Sequence, residues 1–227
     1  MVKNKNVLFL TGISIFACGL HAAMLQAPFN NYLYSSVLKI ILFILCPAIY
    51  FMISKDGKFQ DLFITKADKK YTKIAFAVAL CVFAFILLLY MMLRPFLDHA
   101  MIIDALEKNK ITGNNFAFVF LYVVLINAAL EELFFRGFIF KTIYRMNYKC
   151  FAQVFSSLMF ALYHVAILNG AISPGILILC ITGLAASGLI FNYAVIKCKS
   201  ITGSLILHIS ANLALNLIVV GYYFLNG

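Results

Sequence analysis

Charged side chains are scarce in this chain of 227 residues. They make up 11% of it, whereas about a quarter of the residues in a soluble globular protein are charged. The apolar fraction is 64%, well above the usual share of about 45–50%. A soluble enzyme must cover its surface with polar side chains, and this composition does not supply them. A soluble globular domain and a disordered chain are therefore excluded, which leaves a polytopic helical membrane protein.

Other features are missing as well. The six cysteines form no Cys-x-x-Cys pair and no metal-type spacing, so we expect neither a disulfide framework nor a cysteine zinc site. The net charge of +10 comes without a basic stripe interleaved with aromatic side chains, so we expect no nucleic-acid partner. The sequence shows no internal repeat and no low-complexity tract. We therefore predict a single integral membrane domain over residues 1–227.

Seven apolar runs are long enough to cross a bilayer as helices. They cover residues 7–25, 32–53, 74–93, 116–140, 151–168, 176–196 and 201–225. The first run resembles a signal peptide but has no clear cleavage site, so we predict that it is retained. The fold class is thus predicted to be all-α, a multi-pass bundle of about seven spans (six to eight) in the cell membrane. Residues 94–115 are predicted to form a loop.

The basic residues indicate the orientation of the bundle. With seven spans, fourteen of the 18 Lys and Arg residues fall on one side, and Lys39, Arg94, Lys108 and Lys110 fall on the other. Cytoplasmic loops carry the excess of basic residues. This count places the N-terminus in the cytoplasm.

Ionisable residues inside the apolar runs are concentrated in the second half of the chain. A charged side chain at the centre of a bilayer is costly, so such residues are usually functional. Glu132 and Arg136 share one helix face at a spacing of four and are predicted to pair. Glu131 points about 100° away from Glu132 and is free to face another helix.

Two further polar clusters lie on the fifth and seventh runs. Phe160 and His164 are four residues apart, so the phenyl ring can pack beside the imidazole. His208 and Asn212 have the same spacing and can aim at one point. Glu131 and His208 lie ~10–15 Å from the basic ends of their spans. We expect the three clusters to meet in a cavity that opens toward the cytoplasm.

At these residues the sequence resembles the CPBP family of intramembrane endopeptidases, also called the CAAX protease and bacteriocin-processing (Abi) family. The resemblance covers roughly residues 116–220, the predicted catalytic core. The family's three motifs are Glu-Glu-x-x-x-Arg, Phe-x-x-x-His and His-x-x-x-Asn. They match, in order, Glu131-Glu132-x-x-x-Arg136, Phe160-x-x-x-His164 and His208-x-x-x-Asn212. Each motif alone is weak evidence, but three in order on three spans form a strong signal.

Peptide hydrolysis needs a water molecule, a base that activates it and donors for the oxyanion. Glu131 fits the role of general base, and His164 can share or orient the attacking water. The resemblance implies the same pairing. His208 and Asn212 can bind the oxyanion, while Glu132 and Arg136, with Phe160, would support the site.

Zinc is the competing expectation. His164, His208 and Glu131 together have the composition of several catalytic zinc sites. The HExxH arrangement is absent, however, and no second carboxylate is evident that would orient the histidines. Members of the family have been described both as metalloproteases and as glutamate-type proteases. The residues favour water activation without a metal or other cofactor.

The resemblance implies a membrane-embedded or prenyl-like peptide or protein as substrate. A non-catalytic bacteriocin-immunity or scaffold protein of the same fold is the first alternative. A small proton-coupled transporter is the second, because buried Glu and His residues can form a relay. Transporters of that kind commonly contain inverted repeats, which we do not find here.

Overall fold

The computed structural model describes residues 2–28, 31–62, 66–97, 99–168 and 172–225. Within these ranges the chain forms eight helices. They are α1 (Val2–Leu25), α2 (Tyr32–Ser54), α3 (Lys69–Leu93), α4 (His99–Lys108), α5 (Phe116–Arg145), α6 (Lys149–Leu168), α7 (Pro174–Cys198) and α8 (Thr202–Leu225). Short 3-10 turns cover Phe59–Leu62 and Arg94–Phe96.

Seven of these helices, all except α4, are long and apolar enough to cross a membrane. The predicted all-helical fold with about seven spans is therefore confirmed. Several boundaries differ from the prediction. Helix α1 begins at Val2 and α3 at Lys69, each five residues before its predicted run. The fourth span continues to Arg145, and the expected loop over residues 94–115 contains helix α4. Apolar residues at 102, 103 and 106 follow the helical period between charged ones, a pattern that favours an amphipathic helix.

Helix α5 lies at the centre of the bundle, and ten consecutive residues, 131–140, are buried. Helices α1, α2, α6, α7 and α8 all contact it, while α3 packs mainly on α8. The buried residues of α3 are Ala75 and Ala79, so most of its apolar surface points outward, as expected for a helix that faces lipid.

Two stretches of α5 are π-helical: Tyr122–Asn127 and Glu132–Phe140. An α-helical turn, Ala128–Glu131, separates them. Wide turns of this kind are rare and are often found at functional sites. They change the direction in which successive side chains point. The second stretch begins at Glu132, and the first ends four residues before Glu131.

Polar contacts tie α5, α6 and α7 together on one side of the bundle. Ser156 Oγ donates to the Phe135 carbonyl oxygen at 2.9 Å. Asn192, which is fully buried on α7, donates to Ser157 Oγ at 3.2 Å. Gly188 allows this close approach, because a Cβ at that position would lie 2.8 Å from Ser157 Cα. Small residues at helix contacts are a common way for membrane helices to approach closely.

We predict that Gly188→Ala destabilises the protein by roughly 1–3 kcal/mol, since the added methyl group would force α6 and α7 apart. Gly183→Ala is the matched control on the same helix, because a Cβ there would meet no atom within 4 Å. Thermal unfolding in mild detergent measures both variants. Equal midpoints for the two would contradict the close contact.

Candidate active site

Glu131 is held by a lysine from another helix. Lys39, seven residues into α2, places its Nζ 3.2 Å from Glu131 Oε1 and also donates to Asn127 Oδ1. Asn127 Nδ2 donates to the same Glu131 Oε1 at 3.0 Å. The three side chains form a closed triangle, and each residue is at most 9% exposed. Glu131 Oε1 thus has two donors.

Glu132 contacts different partners from those of Glu131. Its Oε1 lies 3.1 Å from Arg136 Nη1 and accepts a hydrogen bond from His208 Nδ1 at 2.9 Å. The predicted Glu132–Arg136 pair is therefore confirmed. Arg136 is fully buried, and its Cζ lies 4.1 Å from the ring centroid of Phe160 and 4.9 Å from that of Phe191. The guanidinium is thus enclosed by one carboxylate and two aromatic rings.

The two histidines are oriented by their Nδ1 atoms. His164 Nδ1 lies 2.7 Å from the carbonyl oxygen of Phe160, which can only accept, so this nitrogen carries the proton. His208 Nδ1 faces the Glu132 carboxylate in the same way. In the neutral form of each ring, Nε2 is then an acceptor with a free lone pair.

Both Nε2 atoms face one oxygen of Glu131. Its Oε2 lies 3.8 Å from His164 Nε2 and 3.7 Å from His208 Nε2, and it accepts no hydrogen bond from a described residue. Three acceptors therefore converge without a donor among the described side chains. A water molecule at this point can donate one hydrogen to Glu131 Oε2 and the other to one of the two Nε2 atoms.

The other predicted site residues lie around this point. The Phe160 ring packs edge-on against His164, with centroids 4.7 Å apart, as the spacing predicts. It also contacts His208, with centroids 5.6 Å apart. Asn212 does not join the convergence: its Nδ2 donates to the Val123 carbonyl oxygen at 2.9 Å, in the first π-helical stretch of α5.

The donor set of a zinc site is only partly matched. The expectation that no second carboxylate orients the histidines is wrong, because Glu132 orients His208. The ligands of a tetrahedral zinc lie about 3.3–3.5 Å apart, closer than the 3.7–3.8 Å separations here. Among the described residues no group of three or more His, Cys, Asp or Glu side chains is arranged to hold a metal ion.

Sequence reasoning missed Lys39. The charge count treats it as a basic residue of the outer side, whereas its ammonium lies inside the bundle and contacts Glu131. The signal was present, because Lys39 lies well inside the second apolar run, where an unpaired lysine is costly. Asn127, one helical turn before Glu131, was missed too. His21 is 2% exposed, and its ring packs against that of Tyr163 with the centroids 5.3 Å apart.

Comparison with known proteins gives a match to one family over part of the chain. Residues 113–214 match the model of the Rce1-like family, described as type II CAAX prenyl endopeptidase Rce1-like. The matched stretch contains all three motifs, from Glu131 to Asn212, and it confirms the resemblance to the CPBP family. Lys39 lies outside the stretch. Comparisons with curated proteins and with solved structures gave no match.

We predict that Arg136→Met lowers stability by about 3–5 kcal/mol, because it leaves the buried Glu132 carboxylate without its cation. The double variant Glu132→Gln/Arg136→Met should regain much of that loss. Arg145→Met is the control: its ion pair with Asp61 spans 3.9 Å with both side chains 45% exposed, and its loss should cost less than about 1 kcal/mol.

Thermal unfolding in detergent compares these variants. A double variant less stable than Arg136→Met would contradict the view that the Arg136 guanidinium serves to neutralise Glu132.

Proposed function

We propose, from the match of residues 113–214 to the Rce1-like family of type II CAAX prenyl endopeptidases, that this chain is an intramembrane endopeptidase. It hydrolyses peptide bonds in membrane-associated peptides or proteins. One observation carries the proposal: the free Oε2 of Glu131 and the Nε2 atoms of His164 and His208 face a common point inside an apolar bundle. A protease in lipid needs such a point to hold its water.

In this proposal a water molecule occupies the point where the three acceptors converge. Glu131 Oε2 takes one proton as the water oxygen attacks the scissile carbonyl carbon. His164, fixed through its Nδ1, accepts the second water hydrogen at Nε2 and so sets the direction of attack. The proton on Glu131 then passes to the leaving amine when the C–N bond breaks.

The developing oxyanion needs donors. When the His208 ring carries a second proton, its Nε2–H can donate to the oxyanion, while Glu132 at Nδ1 balances the added charge. Asn212 is the second proposed donor, on the strength of its motif. Its Nδ2 has two N–H groups: one donates to the Val123 carbonyl oxygen, and the second is the proposed donor to the substrate oxygen.

The proposed substrate is a peptide segment that enters the site from the bilayer, and the family description makes a prenylated cysteine peptide the first one to test. His164 is the most accessible of the three convergent side chains, at 17% exposed against 2% for Glu131 and 5% for His208. We propose that the substrate approaches along its side. From the distribution of basic residues we also propose a cytoplasmic N-terminus and a site that opens toward the cytoplasm.

We predict that Glu131→Gln lowers the cleavage rate by about 10²–10⁴-fold at unchanged protein level, since an amide cannot take the proton. His164→Ala and His208→Ala should abolish cleavage as well. Glu107→Gln, at an exposed glutamate of α4, is the control. The assay uses purified protein in liposomes with a prenylated peptide and an unprenylated apolar peptide.

These variants also separate the enzyme from a non-catalytic immunity or scaffold protein of the same fold. A scaffold would retain its cellular activity in Glu131→Gln, because the substitution leaves the shape of the side chain almost unchanged. Wild-type cleavage by any of the three site variants would contradict the assignment.

We predict that a strong chelator leaves cleavage unchanged, because the convergent donors lie farther apart than zinc ligands do. The measurement compares 1,10-phenanthroline with its non-chelating 1,7 isomer at equal concentration. Loss of activity with the first alone, restored by added Zn²⁺, would show instead that His164, His208 and Glu131 hold a metal.

A further inference from the structure

Lys39 contacts the buried Glu131 but lies outside the stretch that matches the family. It lies about 10 Å along α2 from Tyr32, and its side chain is 8% exposed. A lysine at such a depth normally extends its ammonium toward the interface. Here the ammonium points into the bundle, where it contacts Glu131 and Asn127 and lies 5.5 Å from the Tyr163 ring centroid.

The contacts of Glu131 are divided unequally between its two oxygens. Oε1 receives hydrogen bonds from Lys39 and Asn127, whereas Oε2 receives none from a described residue. Donors on one oxygen fix the rotation of the carboxylate, so the other oxygen stays directed at the histidines. Asn127 lies four residues before Glu131, and the α-helical turn Ala128–Glu131 between them brings both side chains to the same face of α5.

The charges around Glu131 also indicate that Lys39 acts on this carboxylate. Glu131 and Glu132 are adjacent and buried, and Arg136 lies against Glu132. Without Lys39, Glu131 would carry a negative charge that no cation contacts directly. Burying an unpaired carboxylate is costly, and the group would then take up a proton instead of serving as a base.

We infer that Lys39, assisted by Asn127, is a positioning residue for the proposed hydrolysis. Lys39 neutralises Glu131 and occupies its Oε1, so that Oε2 is the oxygen that takes the proton from the attacking water. This inference rests on the proposed function. A binding site for the terminal carboxylate of the substrate is the other role open to a buried lysine, and the experiment below separates the two.

The kinetic test uses Lys39→Met, which keeps the apolar stem and removes the ammonium. We expect kcat to fall by about 30- to 100-fold with KM within about twofold of wild type. Lys39→Arg should recover part of the loss, and Asn127→Ala should lower kcat by a smaller factor. Lys108→Met, at an exposed lysine of α4, is the control and should behave as wild type.

The second measurement uses the Glu131→Gln background. A positioning residue acts through Glu131, so adding Lys39→Met should leave the residual rate and the peptide affinity of Glu131→Gln unchanged. A further loss of rate, or weaker peptide binding, would overturn the inference in favour of direct contact with substrate. Wild-type kcat in Lys39→Met would overturn it as well.

Stability gives a readout that does not depend on activity. Lys39→Met should lower the unfolding midpoint more than Lys39→Met/Glu131→Gln does, because the double variant leaves no unpaired charge. If the effects of Lys39→Met and Glu131→Gln on the unfolding midpoint were additive, the inferred Lys39–Glu131 ion pair would be overturned. If the wild-type protein cleaves neither peptide, the proposed function is wrong. The comparison of unfolding midpoints still decides whether Lys39 neutralises Glu131.

Discussion

The structure depends on the burial of two adjacent carboxylates in an apolar bundle. Glu131 and Glu132 are at most 1% exposed, and two like charges this close cannot both remain ionised without compensation. Each has its own cation, Lys39 from α2 and Arg136 from the same helix. Because an ion pair in lipid is stable only when its hydrogen bonds and geometry are complete, this requirement fixes how α2 and α5 are oriented toward each other.

The Lys39–Glu131 and Glu132–Arg136 pairs have different surroundings. Arg136 is fully buried beside the rings of Phe160 and Phe191, and the adjacent Glu132 orients His208. The Lys39 pair leaves one oxygen of Glu131 open toward both imidazoles. Each carboxylate keeps an Oε2 without a described hydrogen-bond partner, and that of Glu131 faces the Nε2 atoms of both imidazoles.

The sequence predicts the parts of this site that lie within one helix. A spacing of four determines both the Glu132–Arg136 pair and the packing of Phe160 on His164, because the helix itself supplies the geometry. Contacts between different helices cannot be predicted from residue spacing. The Lys39–Glu131 pair joins residues 92 positions apart, and the π-helical stretches on either side of Ala128–Glu131 alter the angles that an ideal helix would give. Asn212 shows the same limit, since its bond to the Val123 carbonyl depends on how α8 lies against α5.

The aromatic residues next to the site are part of its electrostatics. Phe43, Phe134, Phe135 and Tyr163 pack around one another with centroids 4.0–5.6 Å apart, and Phe160 joins them through Phe135 at 5.4 Å. They leave the ion pairs in a medium of low polarity, in which charge interactions are stronger than in water. The same packing limits the access of bulk water, since the side chains of His164 and His208 are 17% and 5% exposed. In a bilayer, where solvent is absent, a hydrolase must confine its water in this way, and the charges that hold the helices together also define that position.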